Sequence, residues 1–298
     1  MNYRHSYHAG NFADVFKHVQ LTLLLQALRS KESPFCYLDT HAGTGRYDLQ
    51  GATAQKTGEY LQGVMRFWLR DDVIDSLALA DYLAAVRALN PDGELRYYPG
   101  SPRIARHFLR PVASGVLPPA TLVHPCTSQD RMVLMELHAE DAVFLKREFR
   151  GDKQVHVHCA DGYTGLKAFL PPPEKRGLVL IDPPFEDGNE FERLTDSLRI
   201  AYQRWPTGIF ALWYPLKDNY RVQHFHRQLV ASGMRKLLLV EMHLHTHPPV
   251  NTLYGCGMII VNPPWQMDEK LRVLLPCVLA GLQPGGEGKT RVEWLVPE

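Results

Sequence analysis

The chain has 298 residues, a length that corresponds to one large domain or two small ones. Its 45% hydrophobic and 22% charged residues are typical of globular proteins and exclude disordered, collagen-like and fibrous classes. With 33 Lys and Arg against 32 Asp and Glu, the formal net charge is +1. This near-neutral balance excludes a nucleic-acid binder that depends on a strongly basic chain, so any nucleic-acid site must be a local patch.

Helical and strand patterns alternate along most of the chain. The recurrence of apolar residues from Asp14 to Ser30 predicts a helix. Seven short apolar runs are typical of buried strands: Phe35–Asp39, Met132–Glu136, Val155–His158, Leu178–Asp182, Ile209–Trp213, Lys236–Val240 and Met258–Val261. Because helical patterns separate these runs, we predict an α/β protein with a doubly wound, Rossmann-like sheet of seven strands.

Residues 51–98 interrupt this alternation. Helical patterns cover 57–69 and 72–89, and no convincing strand accompanies them. We therefore predict a small helical insertion over 51–98, set into a core formed by 1–50 and 99–298.

Three of the predicted strands end in an acidic residue: Asp39, Glu136 and Asp182. In open α/β sheets, ligands bind beyond the carboxyl ends of the strands, so these side chains indicate where a site lies. The glycine turn at 40–45 lacks the complete dinucleotide fingerprint and the lysine of a phosphate-binding P-loop. Glu136 can accept hydrogen bonds from both hydroxyls of a ribose. Glu59 is the weaker candidate for that role, because no strand precedes it.

The sequence Asp182-Pro183-Pro184-Phe185 directly follows a buried strand and is the most specific signal in the chain. Two prolines cannot extend a strand ladder, so they fix a turn that leaves the Asp182 carboxylate and the Pro183 carbonyl as free acceptors. An amino group on a base ring is a poor nucleophile because the ring delocalises its lone pair. Two acceptors on its N–H bonds favour a pyramidal nitrogen that can attack, while Phe185 stacks on the base. The plainer interpretation is a proline-rich turn.

This tetrapeptide matches the Asp/Asn/Ser-Pro-Pro-Tyr/Phe/Trp signature of amino-group methyltransferases that use S-adenosylmethionine. Further segments resemble the bacterial ribosomal RNA large subunit methyltransferase J family, RlmJ: Tyr3–Asn11 with Asp14, Lys17 and His18, then Leu38–Gly43, Tyr97–Pro102, Ala211–Pro215 and Trp294–Pro297. The resemblance covers nearly the whole chain. It implies a class I S-adenosylmethionine-dependent methyltransferase fold and methylation of N6 of one adenine in 23S ribosomal RNA.

The resemblance also implies roles for individual residues. The S-adenosylmethionine site would be formed by His18, His41, Ser101, Glu136, Asp161, Gly162 and Asp182. Asp182 would be catalytic, and Tyr3, Arg4, Pro183 and Phe185 would contact the RNA substrate. In physical terms, Asp161 can accept a hydrogen bond from the adenine amine of the cofactor, and His18 can cap its methionine end. We expect direct in-line transfer to a base flipped out of its stack.

Other interpretations remain open at this stage. A DNA adenine-N6 methyltransferase shares the tetrapeptide, and a nucleic-acid-binding module without turnover would use the same surfaces. A metal-dependent hydrolase could use His243, His245 and His247 or the pair His156 and His158. No His-Glu-x-x-His or Cys-x-x-Cys motif supports a metal. Because methyl transfer from a sulfonium releases a neutral thioether and needs no Lewis acid, we expect no metal.

A local basic patch is present between Arg96 and Arg110, where no acidic residue occurs. A helix that starts at Ser101 would place Arg103, Arg106 and Arg110 on one side. We call Arg96, Arg103, Arg106 and Arg110 the arginine face. We predict that it follows RNA phosphates, assisted by residues of the N-terminal region, namely Tyr3, Arg4, Tyr7 and Lys17. The alternative is an ordinary solvated helix face.

The remaining features concern the compartment. No run of about 18 apolar residues occurs, and the first residues lack the apolar segment of a signal peptide. The five cysteines are scattered and odd in number, which fits a reducing compartment without a disulfide framework. We therefore expect a cytoplasmic protein without membrane contact, acting as a monomer.

Overall fold

The computed structural model describes residues 4–69, 77–111, 129–245 and 252–298. Within these ranges the strands are β1 Cys36–Asp39, β2 Arg46–Asp48, β3 Tyr97–Pro99, β4 Arg131–Glu136, β5 Val155–Cys159, β6 Gly177–Ile181, β7 Ile209–Leu216, β8 Leu237–His243, β9 Gly255–Val261 and β10 Lys289–Val296. The helices are α1 Phe12–Arg29, α2 Ala52–Thr57, α3 Met65–Trp68, α4 Leu77–Arg87, α5 Ser101–Phe108, α6 Ala139–Glu148, α7 Gly162–Phe169, α8 Glu190–Arg204, α9 Asn219–Ala231 and α10 Met267–Leu282. Short 3-10 turns cover His5–Tyr7 and Glu59–Gln62.

The main sheet has eight strands in the order β10-β8-β9-β7-β6-β1-β4-β5. Strands β5, β4, β1, β6 and β7 are parallel, whereas β9 is antiparallel to both β7 and β8. All seven predicted strands are present. The eighth, β10, pairs antiparallel with β8 at the sheet edge. Its alternating polar and apolar residues leave it partly exposed, and it lacks the continuous apolar run by which most of the other strands were predicted.

Helix α1 anchors the structure and confirms the helix predicted for 14–30. The Asn11 side chain caps its first turn by accepting from the Asp14 backbone N–H at 3.0 Å. Most of its side chains are buried, because the helix lies between the sheet and the helices α4, α5 and α10. Its first turns therefore carry any polar side chain directly to the carboxyl edge of the parallel strands.

The segment predicted as an insertion contributes short helices and one strand. α4 is buried through Leu79, Tyr82 and Val86 in the same apolar core as α1. β3 pairs with β2 as a separate two-stranded sheet, which the sequence did not indicate because each strand has only three residues. The division into a core and a 51–98 insertion remains a prediction.

Apolar side chains fill both faces of the main sheet. One core lies under α1, α4, α5, α6 and α10, and the other lies under α7, α8 and α9. In the part of the chain that the structure describes, no helix is both long and apolar enough to cross a membrane. With both faces covered, the carboxyl edge of the parallel strands is the place left open for a ligand.

Candidate active site

A cavity of about 830 Å³ lies beyond the carboxyl ends of β1 and β4 to β7, with α1 and the N-terminal segment on its far side. Ten of the predicted site residues line it together: Arg4, His18, His41, Ser101, Glu136, Asp161, Gly162, Asp182, Pro183 and Phe185. Tyr3, the remaining one, lies outside the described residues. Glu59, the weaker ribose candidate, also lines the cavity, where it accepts from His8 Nδ1 at 2.9 Å and Asn11 Nδ2 at 3.0 Å.

The loop after β1 is held by the buried carboxyl group of Asp39. Asp39 accepts hydrogen bonds from the Tyr37 hydroxyl and the Ser101 hydroxyl, both at 2.7 Å, and from the His41 backbone N–H at 3.2 Å. Burial raises the pKa of Asp39 to about 6, although these hydrogen bonds oppose the change. Burial also lowers the pKa of His41 to about 4, so His41 is neutral at pH 7.

Glu136 ends β4 in a fixed orientation. Its Oε2 accepts from the Gly43 backbone N–H at 2.9 Å, and its Oε1 accepts from the His138 backbone N–H at 2.8 Å. Gly43 has a φ of +61°, a left-handed conformation that favours glycine. Each carboxylate oxygen keeps a further lone pair, so Glu136 can accept from two neighbouring hydroxyl groups.

Asp161 and Gly162 form the turn between β5 and α7. Asp161 caps α7 by accepting from the Thr164 backbone N–H at 2.7 Å, and Arg193 binds its other oxygen at 2.5 Å. Partial burial opposes ionisation, but these partners lower the pKa of Asp161. A side chain at Gly162 would collide with the carbonyl oxygen of Thr40. The glycine therefore lets the loops after β1 and β5 meet at the cavity wall.

His18 is buried on α1. Its Nδ1 is 2.8 Å from the Tyr98 hydroxyl, and its Nε2 is buried without a hydrogen-bond partner in the part of the chain that the structure describes. Burial lowers the pKa of His18 to about 3, so the ring is neutral. An unpartnered polar atom in a cavity wall indicates a group that a ligand satisfies.

Lys17 lies in the wall of the cavity and not on the outer surface where the sequence predicted it. Its side chain is only 6% exposed, and Nζ lies 2.9 Å from Asp14 Oδ1 and 2.5 Å from Asp182 Oδ2. Burial disfavours the ammonium ion, but the two carboxylates hold the pKa of Lys17 well above its usual value. Asp14 is held in turn by His5 Nε2 and the Gly10 backbone N–H, each at 2.9 Å. The prediction that Lys17 follows RNA phosphates is wrong, because its charge is neutralised inside the protein.

The turn after β6 presents Asp182, Pro183 and Phe185 to the cavity. Lys17 binds Oδ2 of Asp182, and Oδ1 has no hydrogen-bond partner among the described residues. Phe185 has a φ of +51°, which is uncommon for a residue with a bulky side chain. Its ring packs against Phe191 and Trp213, with centroid distances of 4.9 and 5.9 Å. This packing holds an aromatic face beside an available carboxylate oxygen.

The arginine face is paired with carboxylates from distant parts of the chain. Arg103 binds Glu148, Arg106 binds Asp152, Arg110 binds Asp130 and Arg96 binds Asp48. Helix α5 begins at Ser101 as predicted but ends at Phe108, so the predicted helical side holds for Arg103 and Arg106 and not for Arg110. Because each arginine is already paired, the prediction of a phosphate-binding face is wrong. A window from 96 to 110 contains no acid, whereas three of the four partners lie at least 20 residues further along the chain.

The other predicted groups have simpler surroundings. Arg4 lines the cavity and binds Glu140 of α6 at 3.2 Å, with both side chains mostly exposed. His243 lies 3.3 Å from Glu241, whereas His247 is outside the described residues. No group of three or more His, Cys, Asp or Glu suited to hold a metal occurs within the described ranges.

Asp14 and Trp213 had no role assigned from the sequence, and Lys17 had been assigned to RNA phosphates rather than to the site. Asp14 and Lys17 stand three positions apart on a helix whose other central residues are buried and mostly apolar. An oppositely charged pair at this spacing on a buried helix could have indicated them. Trp213 offered no such signal, because it continues the apolar run of β7.

The strand order and the residues at the cavity define a class I S-adenosylmethionine-dependent methyltransferase. The cavity fits that cofactor, because Glu136 offers acceptors for ribose hydroxyls and His18 Nε2 lacks a partner among the described residues.

Comparison with known proteins identifies the family. The model of the family described as "Ribosomal RNA large subunit methyltransferase D, RlmJ" matches residues 32–296. Ribosomal RNA large subunit methyltransferase J of Escherichia coli K12 is 41% identical over 298 residues, covering 100% of both chains. The protein of the same name from Haemophilus influenzae is 40% identical over 299 residues, again covering 100% of both. The crystal structure of LPL1258 from Legionella pneumophila has a TM-score of 0.83 at 35% identity, covering 96% of this chain and 98% of that one.

The chain therefore belongs to the RlmJ family of large-subunit ribosomal RNA methyltransferases. This confirms the resemblance, the methyltransferase activity and the S-adenosylmethionine cofactor predicted from the sequence. The relatives give no support to the DNA alternative.

Proposed function

We propose that the chain methylates N6 of an adenine in 23S ribosomal RNA, and that Asp182 is its catalytic residue. The observation that carries this proposal is the asymmetric pairing of the Asp182 carboxylate. Lys17 binds Oδ2, whereas Oδ1 has no partner among the described residues. Pro183, the next residue in the sequence, offers its carbonyl oxygen as a second acceptor. Two such acceptors can bind the two N–H bonds of an aromatic amine, the group that adenine carries at N6.

Each residue of the turn has a physical part in the reaction. Phe185 stacks on the flipped-out base and fixes its plane, while Asp182 and Pro183 orient the amine and localise its lone pair. Lys17 binds Oδ2 and thereby fixes the orientation of the Asp182 carboxylate. Oδ1 can then take the proton that the amine loses. When bound, S-adenosylmethionine supplies a methyl group on a sulfonium, whose departure leaves a neutral thioether.

The cofactor is held by the opposite wall in this proposal, through His18, His41, Ser101, Glu136, Asp161 and Gly162, with Asp182 at the boundary. Glu136 accepts from the ribose hydroxyls, Asp161 accepts from the adenine amine and His18 caps the methionine end. The bonds that already fix Glu136 and Asp161 support these roles, because preorganised acceptors lose little entropy on binding.

The finer points of the function are also proposals. The family fixes large-subunit ribosomal RNA as the substrate class, and we propose the 23S molecule, methylated in the cytoplasm. We further propose that a monomer suffices, since ten of the predicted site residues already meet in this cavity. Tyr3 and Arg4 are proposed to contact the RNA, so Tyr3→Ala should strongly reduce methylation while cofactor affinity changes little.

The central test compares Asp182→Asn with Asp196→Asn. The first change removes the negative charge beside Lys17, whereas the second makes the same substitution on an exposed side chain of α8. With a 23S fragment and labelled S-adenosylmethionine, Asp182→Asn should lose at least about a hundredfold in rate, as for a lost preorganised electrostatic contact. Asp196→Asn should keep the parent rate.

Nuclease digestion followed by mass spectrometry identifies the product. N6-methyladenosine in the parent reaction supports the proposal, and a DNA hairpin of matching sequence should remain unmethylated. Full activity in Asp182→Asn would remove this carboxylate from the mechanism. Methylation of a base other than adenine, or equal methylation of the DNA hairpin, would contradict the proposed substrate.

A further inference from the structure

A group of exposed cations lies at the far end of α6, on the edge of the molecule formed by β5. Lys146 and Arg147 stand in the last turn of α6, and Arg150 and Lys153 follow in the connection to β5. All four side chains are exposed. Together with Phe144, one turn before Arg147, they form a surface that we call the α6 stripe.

The positive charge of the α6 stripe is not offset locally. None of its four cations has a hydrogen-bond or ion-pair partner among the described residues. The two carboxylates that share this stretch are paired with the arginine face: Glu148 binds Arg103, and Asp152 binds Arg106. The same pairing that neutralises the arginine face thus leaves the α6 stripe cationic.

The shape of this region also suits a polymer with charged and aromatic parts. A shallow groove of about 460 Å³ separates the end of α6 from β5, lined by Lys146, Phe149, Arg150, Gly151, Asp152, Lys153, Val155 and Val157. Phe144 is 54% exposed, and the Arg147 guanidinium lies 5.9 Å from the centre of its ring. Proteins that bind single-stranded nucleic acids combine cations, which contact the backbone, with exposed aromatic rings, on which bases stack.

The α6 stripe is continuous with the active site. Leu137, His138 and Asp141, at the start of α6, line the cavity that holds Asp182. Ten residues of helix extend about 15 Å, which is the length of a few nucleotides. A strand whose target base enters the cavity can therefore run along α6 to the groove.

We propose that the α6 stripe binds the ribosomal RNA substrate next to its target base. Lys146, Arg147, Arg150 and Lys153 contact backbone phosphates, and Phe144 stacks on one unpaired base. This inference rests on the proposed function, because it takes ribosomal RNA as the occupant. The cations contribute affinity for RNA but no selectivity for particular bases, because phosphate contacts carry no sequence information.

The test removes three cations as Arg147→Gln, Arg150→Gln and Lys153→Gln in one full-length variant. Binding of a labelled 23S hairpin is measured by fluorescence anisotropy over a range of salt concentrations. Each lost phosphate contact lowers the salt slope by about 0.7 to 0.9, so a decrease of about two to three is expected, with at least about tenfold weaker binding at low salt. Affinity for S-adenosylhomocysteine should be unchanged.

The control variant carries Lys167→Gln, Arg227→Gln and Lys270→Gln. These exposed cations lie on α7, α9 and α10 and have no ion-pair partner within the described ranges. The control loses the same net charge but should keep the parent salt slope. Phe144→Leu should weaken binding about tenfold without altering the salt slope, since stacking on one base is lost.

The outcomes separate this proposal from the proposed function. If the parent methylates the hairpin and the α6 variant binds RNA with the slope of the control, the α6 stripe does not bind the substrate and the inference is overturned. If the α6 variant loses affinity for an acidic protein but not for RNA, the inference is also overturned. Failure of the parent to methylate any ribosomal RNA fragment would instead contradict the proposed function, whatever the binding data.

Discussion

Asp39→Asn should change how the stability of the protein depends on pH. The carboxyl group of Asp39 is fully buried at the end of β1, and burial raises its pKa to about 6 from an ordinary value of 3.8. Below pH 3.8 the group is protonated in both the folded and the unfolded state. Above pH 6 it is ionised in both states, and the folded state then carries the full cost of a buried charge.

The size of the effect follows from these values. A difference of one pKa unit between the folded and unfolded states corresponds to about 1.4 kcal/mol. The ionised carboxylate of Asp39 therefore costs about 3 kcal/mol of folding free energy at neutral pH. No discount for solvent applies, because Asp39 is 0% exposed. Relative to the parent, the Asn variant should gain about this amount in free energy of unfolding as pH rises from about 4 to about 7.

Urea unfolding at half-unit pH intervals measures this difference. Asn keeps the shape of Asp39: its amide oxygen can still accept from the His41 backbone N–H, and its amide nitrogen can donate to the Tyr37 and Ser101 hydroxyls. Because Asn does not ionise, the informative quantity is the slope of the difference against pH. The exposed Asp196→Asn variant should show no such slope. A constant difference between the Asp39 variant and the parent would refute the reasoning.

Three other expectations follow from the site. Lys17→Met leaves Asp14 and Asp182 without their shared cation and should lower the free energy of unfolding by about 3 to 5 kcal/mol in urea titrations. Adding Asp14→Asn should recover part of the loss, and no recovery would contradict the ion-pair account. Burial lowers the pKa of His18 to about 3, so the stability gained from the neutral ring is present above pH 6.5 and is lost as pH falls. His18→Gln should therefore lose less thermal stability than the parent between about pH 6.5 and 4.5, whereas equal losses would count against this assignment. Strong chelators should leave methyl transfer unchanged, and a loss of activity restored by zinc would revive a metal site at His243.

The sequence located the cavity because strand ends converge. Asp39, Glu136 and Asp182 together span more than 140 residues of the chain, yet they lie at one edge of the sheet because parallel strands bring their carboxyl ends together. Apolar runs identify such strands, so both the sheet and the position of the site could be predicted.

The ionic partners could not be predicted in the same way. The arginine face contains no acid within its own segment, and its neutralisation depends on how α5 packs against the region around Glu148 and Asp152. Likewise, the role of Lys17 depends on the approach of α1 to Asp182, 165 residues away. Local patterns report exposure and periodicity, whereas the pairing of charges is a property of tertiary packing.

The antiparallel direction of β9 has a consequence for the signature itself. A second copy, Asn262-Pro263-Pro264-Trp265, directly follows β9. Because β9 runs against β7, this copy lies at the opposite edge of the sheet from Asp182. There the amide of Asn262 donates to the carbonyl groups of Pro206 and Gly208, each at 2.8 Å, and ties two loops together. The four letters alone do not mark a methyl-transfer centre in this sheet. The direction of the preceding strand decides whether these residues lie at the cavity or hold two loops together at the opposite edge of the sheet.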